Sequence, residues 1–319
     1  QPLNEGGKSL IDVLDKTNTA MGARLLKRWL AFPLLDEQKI NLRLNSVEAF
    51  SNDEDYSLFL KEQLEKIGDL ERLITRVSVG KINPREVNQI KLALEAIEPL
   101  KEKLSASKDE NLKQIADQLN PCEKIRDRID KEIKDDPPVL VSKGNVITEN
   151  VSDELDELRN IAYSGKDFLL KMQEDQAQKT GISSLKVGYN NVFGYYFEVR
   201  NTHKDKVPSE WVRKQTLVNA ERYINEELKE YEYKILNAEE KIIDLESRLF
   251  NDLITYLSDY ISVFQHNAYQ VACLDVLQSF ATVSEENNYT KPEVDDSLSL
   301  NITQGRHPVI EKQLPLDEE

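Results

Sequence analysis

Residues 225–257 read NEELKEYEYKILNAEEKIIDLESRLFNDLITYL, and the spacing of apolar side chains in this stretch decides the fold. Leu228, Tyr231, Ile235, Ala238, Ile242, Leu245 and Leu249 alternate spacings of three and four without a miss. That is the period of a helix carrying a coiled-coil-like heptad seam. A seam needs a partner. Asp153 to Lys179 supplies one, with Leu155, Leu158, Ala162, Leu169 and Met172 as a second stripe. Asp153, Glu154, Asp156 and Glu157 crowd its first turns, where carboxylates favour the helix dipole. At 1.5 Å per residue this helix is about 40 Å long. Two such helices bracketing one segment most simply form an antiparallel stalk with that segment at its tip.

The bracketed segment, Gly181 to Asn225, differs from its surroundings in every statistic. Seven basic residues (Lys186, Arg200, Lys204, Lys206, Arg213, Lys214, Arg222) face four acidic ones (Glu198, Asp205, Glu210, Glu221), a net of +3, while the rest of the chain carries −19. Seven of the 23 aromatics fall in these 45 residues. Tyr195 to Val199 and Trp211 to Leu217 have strand composition, and Gly188 and Gly194 punctuate turns. Phosphate backbones are gripped by Lys and Arg together with neutral donors, without base reading. Asn190, Asn191, Arg213, Lys214, Gln215, Asn219 and Arg222 supply those donor types near turns and strand ends. Arg213 and Lys214 are adjacent, so in a straight strand only one faces a duplex. Arg222 precedes the return helix and is spaced to pair with Glu226. The alternative is a solubilising surface over a small aromatic core.

Outward from the stalk, Ser9 to about Lys134 reads as short amphipathic helices, with Asn83-Pro84-Arg85-Glu86 as a strong start. Pro137-Pro138 stops helix, and Val139 to Thr148 around Lys143-Gly144-Asn145 reads as a small β-hairpin. Leu298-Ser299-Leu300-Asn301-Ile302 is strand-like. Glycine, 11 of 319 residues, is about half its usual share, which favours long helices over a loop-rich β fold. The fold class is therefore mainly α: a multi-helix core, long antiparallel helices and a small inserted antiparallel β domain.

A net charge of −16 excludes a uniformly basic nucleic-acid coat but not a local patch. Two cysteines 151 positions apart exclude a disulfide scaffold and Cys-cluster zinc modules. The longest uncharged run, Tyr260 to Leu274, is too short and too polar to span a bilayer, and no leader reads as a signal peptide, so a membrane is not an expected partner and a reducing, cytoplasmic setting is. A start at Gln1 suggests a piece of a longer chain. Gly6-Gly7-Lys8-Ser9 looks like the tail of a phosphate loop, but Pro2 stands where the motif needs glycine, so a flexible terminus is expected. His203, His266 and His307 are too scattered for a metal motif, and no nucleophile, base and orienter set is readable. No catalytic residue and no metal ligand is expected.

Leu185-Lys186-Val187-Gly188-Tyr189-Asn190-Asn191-Val192-Phe193-Gly194-Tyr195-Tyr196 closely resembles the clamp signature of the MutS family of DNA mismatch repair proteins. Arg213 to Leu217 and Asn219 to Tyr223 continue it. Thr19 to Arg24, Lys27 to Leu30 and Pro33-Leu34 resemble the opening of that family's core domain, and Gly305 to Glu311 resembles the segment introducing its ATPase domain. The resemblance implies a helical core and first lever helix over 1–180, a clamp over 181–236, a return lever and core completion over 237–291, and a linker with the start of the ATPase domain over 292–319. It implies a lever and clamp that grip double-stranded DNA non-specifically. It also implies a homodimeric, DNA-associated bacterial parent protein that meets other mismatch repair proteins through further domains. The mismatch-reading domain, the connector and the P-loop ATPase are absent from this text. The chain itself is therefore expected not to be an enzyme and to hold no cofactor, with ATP and magnesium belonging to the missing ATPase. The rival class is a non-catalytic helical scaffold or protein-interaction stalk with an inert tip.

Overall fold

Capping side chains start most of the helices before Lys134. A computed structural model describes residues 7–313, apart from the side chains of 163–166. Helix α1 (Leu10–Leu14) follows Ser9, whose backbone N–H and hydroxyl both donate to Asp12. In α2 (Ala20–Ala31), α3 (Glu37–Ser51), α4 (Glu54–Ile67), α5 (Leu70–Ser78), α6 (Pro84–Ser105) and α7 (Glu110–Gln118), the caps Thr19, Asp36, Asp53, Asp69, Asn83 and Asp109 each accept a first-turn backbone N–H. Each satisfies a donor that the helix itself cannot. Asn83 and Glu86 close the expected reciprocal capping box, with Pro84 in the first turn. Then come α8 (Glu123–Glu132), α9 (Asp153–Thr180), α10 (Glu226–Ser258), α11 (Ile261–Asn287) and α12 (Pro308–Glu311). Four strands lie between α9 and α10: β1 (Lys186–Asn190), β2 (Gly194–Arg200), β3 (Val212–Thr216) and β4 (Ala220–Ile224). The protein is mainly α with a small antiparallel β insert.

The chain divides into two compact units, one joining the chain up to Asp130 to the chain from Asp252, the other Lys131–Asn251. In the first, α11 packs against α2, α3, α4 and α5 and is buried on all sides from Gln270 to Ser279. A helix covered all round has no need of a polar face, which is why the uncharged run from Tyr260 ends in a core helix. Asp275, fully buried on α11, accepts from the backbone N–H of Asn18 (2.7 Å) and of Thr19 (2.8 Å) and from the Thr19 hydroxyl (2.6 Å). Burial pushes its carboxyl above the ordinary range against those bonds. Among the described residues no helix is long and apolar enough to cross a membrane.

In the second unit, α9 and α10 run antiparallel: Arg159 meets Glu246, Phe168 stacks on Tyr231 with centroids 3.7 Å apart, and Gln176 meets Glu227. Leu155, Leu169 and Met172 on one helix and Leu228, Ile235, Ala238 and Leu245 on the other are buried, as the seam requires. Ile242 and Leu249 are only half-buried.

Three local expectations fail. Residues 139–148 form no hairpin. Val141–Lys143 is a single 3-10 turn, and Ile147 instead makes an isolated bridge back to Ile133. Gly144 and Asn145 both adopt positive φ, turning Val146 inward, where its N–H donates to Glu246. Leu298–Ile302 forms no strand: its apolar side chains are exposed and no neighbouring strand pairs with it. Gly188 lies inside β1 rather than at a turn. Its partner across the ladder is Tyr196, and a Cβ at Gly188 would lie 2.7 Å from that ring, so only glycine admits it. Gly194 is a true turn residue at φ +79, pressed against Glu232 of α10. Of the Gly6-Gly7-Lys8-Ser9 string, Gly6 lies outside the described residues, and the rest leads into the five-residue α1.

Candidate nucleic-acid interface

The sheet has order β1-β2-β4-β3, all pairs antiparallel. Alternation gives it two chemically different faces. Val187, Phe197, Val199 and Tyr223 point to one side, where Trp211 stacks on Phe197 with centroids 4.6 Å apart. Leu169, Met172, Leu228 and Ile235 of the helices join the same core. The aromatics do not form a private core for the tip; they fuse it to the stalk.

Lys186, Tyr196, Glu198, Arg200 and Arg222 alternate onto the other face. Arg222 lies over the Tyr196 ring, 4.4 Å from its centroid, and bonds Glu198 (3.1 Å) and Gln215 (2.9 Å). It does not use Glu226. A cross-strand carboxylate is nearer than one on the following helix, because the ladder places Glu198 directly opposite. Arg222 and Gln215 therefore spend their polar atoms within the sheet.

Register slips between Arg213 and Gln215, so Lys214 is the extra residue of a bulge. The strand is not straight there. Arg213 turns toward Tyr223's face and pairs with Glu221 at 3.1 Å. The Tyr223 hydroxyl also donates to Glu221. That bond, with the Arg213 guanidinium beside it, holds the Glu221 carboxyl below its ordinary range. Burial and the same carboxylate push the Tyr223 hydroxyl up to about 12. Lys214 is exposed and has no hydrogen-bond or ion-pair partner among the described residues.

The seven candidate residues do not converge on one spot. Asn190 and Asn191 sit at the β1–β2 turn, where Asn190 accepts the Val192 N–H at 2.8 Å. Asn219 sits at the β3–β4 turn, the opposite end of the sheet, where its carbonyl accepts from the Asn201 N–H at 3.1 Å. Two further cations, Arg200 and Lys204, lie at that second end. Both are exposed and make no hydrogen bond or ion pair among the described residues, though the charge of Lys204 helps hold the Glu221 carboxyl low. Their signal was the Arg200 to Lys206 run itself. The turn beside them carries Val218 at 90% exposure. Among the described residues no three His, Cys, Asp or Glu side chains gather to hold a metal.

A paired-helix lever whose end shares its core with a small basic sheet defines a helical protein of lever-and-clamp architecture. The MutS domain III family matches residues 1–281, and the chain belongs to that family. It is 59% identical over 316 residues to the DNA mismatch repair protein MutS of Bacteroides fragilis, covering 99% of this chain and 37% of that protein. It is 56% identical over 310 residues to the MutS of Christiangramia forsetii, covering 97% and 36%, and 52% over 317 residues to that of Porphyromonas gingivalis, covering 99% and 36%. The chain thus spans a little over a third of the length of these relatives.

Proposed function

We propose that the chain is the lever and clamp part of a MutS-type DNA mismatch repair protein, and that its sheet grips the duplex backbone without reading sequence. One observation carries this reading: Arg200, Lys204 and Lys214 stand exposed on the end and edge of the sheet, without a hydrogen bond or ion pair among the described residues, in a chain of net charge −16. Cations left unneutralised where carboxylates abound suit phosphate contact. On this reading the clamp neither catalyses nor holds a cofactor. ATP and magnesium serve a P-loop ATPase elsewhere in a homodimeric, cytoplasmic parent protein, which meets other repair proteins through its other domains.

A duplex titration at two salt concentrations tests the reading. Homoduplex and mismatched duplex should bind equally, in the non-specific range of about 10⁻⁴ to 10⁻⁶ M, with a log–log salt slope near that of about three phosphates. A chain with 182–224 replaced by a short loop should lose the binding. No binding at low salt would instead favour a protein-interaction scaffold, and a mismatch preference would refute sequence-neutral grip.

A further inference from the structure

At the end of the sheet that carries the β3–β4 turn, one side chain ties two turns together. Asn201 opens the 3-10 turn Asn201–Lys206 that follows β2. Its backbone N–H donates to the Asn219 carbonyl at 3.1 Å, and its side-chain amide donates to the Val218 carbonyl at 3.0 Å. The Leu217 N–H closes the β3–β4 turn onto the Ala220 carbonyl at 2.8 Å. The far end of the 3-10 turn is held to the end of α9, where Lys206 donates to the Gly181 carbonyl at 3.1 Å.

A trans peptide points its C=O and its N–H in opposite directions, and no peptide bond here is cis. With the Val218 carbonyl bonded to Asn201, the Asn219 N–H faces away from Asn201. The N–H groups of Val218 and Asn219 have no hydrogen-bond partner among the described residues, and both residues are exposed. Arg200 lies opposite Ala220 across the ladder, and Lys204 stands on the 3-10 turn. Neither makes a hydrogen bond or ion pair among the described residues. Over 200–206 Asp205 is the one carboxylate, against Arg200, Lys204 and Lys206. Turned-out N–H groups beside uncommitted cations suit an oxyanion, and the two carbonyls that would repel one are occupied.

We infer that the Leu217–Ala220 turn is a seat for a backbone phosphate of the duplex, with the Asn219 N–H as donor, Arg200 and Lys204 as flanking charges, and Asn201 as the positioning residue that keeps the donor turned out. The inference rests on the clamp reading, which supplies the phosphate. Asn201 is uncharged and spends its backbone and side-chain donors inside the protein, so it acts through the turn. Fixing the turn before DNA arrives reduces the ordering cost of binding.

Duplex titrations of the full chain, read by anisotropy at several salt concentrations, test it. Asn201→Ala should weaken binding about fivefold, the worth of one hydrogen bond. The salt slope should stay as in wild type, because no cation is lost. Arg200→Ala should instead lower that slope by about one charge. Asn219→Ala keeps the backbone N–H and should bind as wild type does. The same variant identifies the Asn219 amide signal in the proton–nitrogen spectrum of asparagine-labelled protein, and in wild type that signal should move downfield when duplex is added. If Asn201→Ala unfolds the sheet, the Asn219 signal and Asn219→Ala decide the matter. Unchanged affinity of a folded Asn201→Ala, a stationary Asn219 signal, or a loss in Asn219→Ala as large as that expected for Asn201→Ala would overturn the seat and leave the clamp reading standing. No duplex binding by wild type would overturn both.

Discussion

Where α9 begins it meets α10 through charge, and where it ends it meets α10 through aromatic rings. At the first end Arg159 bonds Glu246 at 2.7 Å, with the Glu246 side chain wholly buried, and also donates to the carbonyls of Ile147 and Thr148. At the second end Phe168 stacks on Tyr231, and Leu169, Met172, Leu228 and Ile235 share a core with Phe197, Val199, Trp211 and Tyr223 of the sheet. Burying an ion pair returns little net stability, because desolvation offsets the attraction, but a broken pair is costly. Such a pair suits fixing register. Burying rings and branched chains adds stability roughly in proportion to area. The charged end therefore sets how the helices align, and the aromatic end holds the sheet to them. Sheet and helix ends cannot separate without opening one common core.

The largest effect tests the aromatic end. Phe197→Ala should cost about 3–5 kcal/mol, the usual range for truncating a fully buried aromatic. Because the core is shared, Trp211 fluorescence, read in a Trp29→Phe background, and helical circular dichroism of the 131–251 unit should change together on chemical denaturation. Separate transitions would show that the sheet has its own core and break the comparison.

Next comes the charged end. Arg159→Met should destabilise by about 3 kcal/mol, since it strands a buried carboxylate. The double change Arg159→Met with Glu246→Met should recover most of that loss. A double-mutant cycle with no coupling would mean the pair fixes nothing.

A third test is of pH. The Glu221 carboxyl is held low in the folded sheet by Tyr223 and Arg213, whereas in the unfolded chain it titrates near 4.5. The unfolded state then binds more protons below 4.5, so this contribution is complete above that pH and is lost as pH falls through the lowered folded value. Melting followed at Trp211 should show an acid-dependent drop in wild type that Glu221→Gln shrinks. The same drop in both proteins would place the acid sensitivity elsewhere.

Much of this architecture was written in local spacing. The heptad alternation from Leu228 to Leu249 and the stripe from Leu155 to Met172 announced both long helices, because a covered face leaves a period in the text. Asn83-Pro84-Arg85-Glu86 announced a helix start because a cap is chemistry between near neighbours. What failed depended on distant partners. Val146 and Ile147 look like half of a hairpin, but Glu246, a hundred residues on, claims the Val146 N–H. Leu298 to Ile302 has strand alternation and no edge to join. In the sheet, composition located the donors but not their pairing. Nothing near Arg222 reveals that Glu198 stands across the ladder, and the bulge at Lys214 is a property of two strands together. Arg200 and Lys204 stand apart from the other basic residues only in the structure, because a cation's freedom is visible only once its neighbours are placed.

The smallest effect on stability is expected at Lys214, and it separates grip from framework within the basic sheet. Arg222 is bonded to Glu198 and Gln215 and lies over Tyr196, so Arg222→Ala removes an internal network; it should cost about 1–2 kcal/mol and leave the salt slope of DNA binding unchanged. Lys214 sits at the bulge with nothing to lose inside the protein, and Lys214→Ala should stay within about 0.5 kcal/mol of wild type. Its charge is nevertheless one of the few free to displace a counterion from a duplex. Lys214→Ala should weaken DNA binding equally for all sequences and lower the salt slope by about one charge. Arg213 falls between them: its own side chain is more than half exposed but its partner Glu221 is buried, so Arg213→Ala leaves that carboxylate to Tyr223 alone and should cost more in Tm than Lys214→Ala. That unpaired charge should weaken DNA binding by repulsion. Reversed results, with Arg222→Ala lowering the slope and Lys214→Ala leaving it intact, would mean that the Tyr196–Arg222 face and not the bulged edge meets the phosphates.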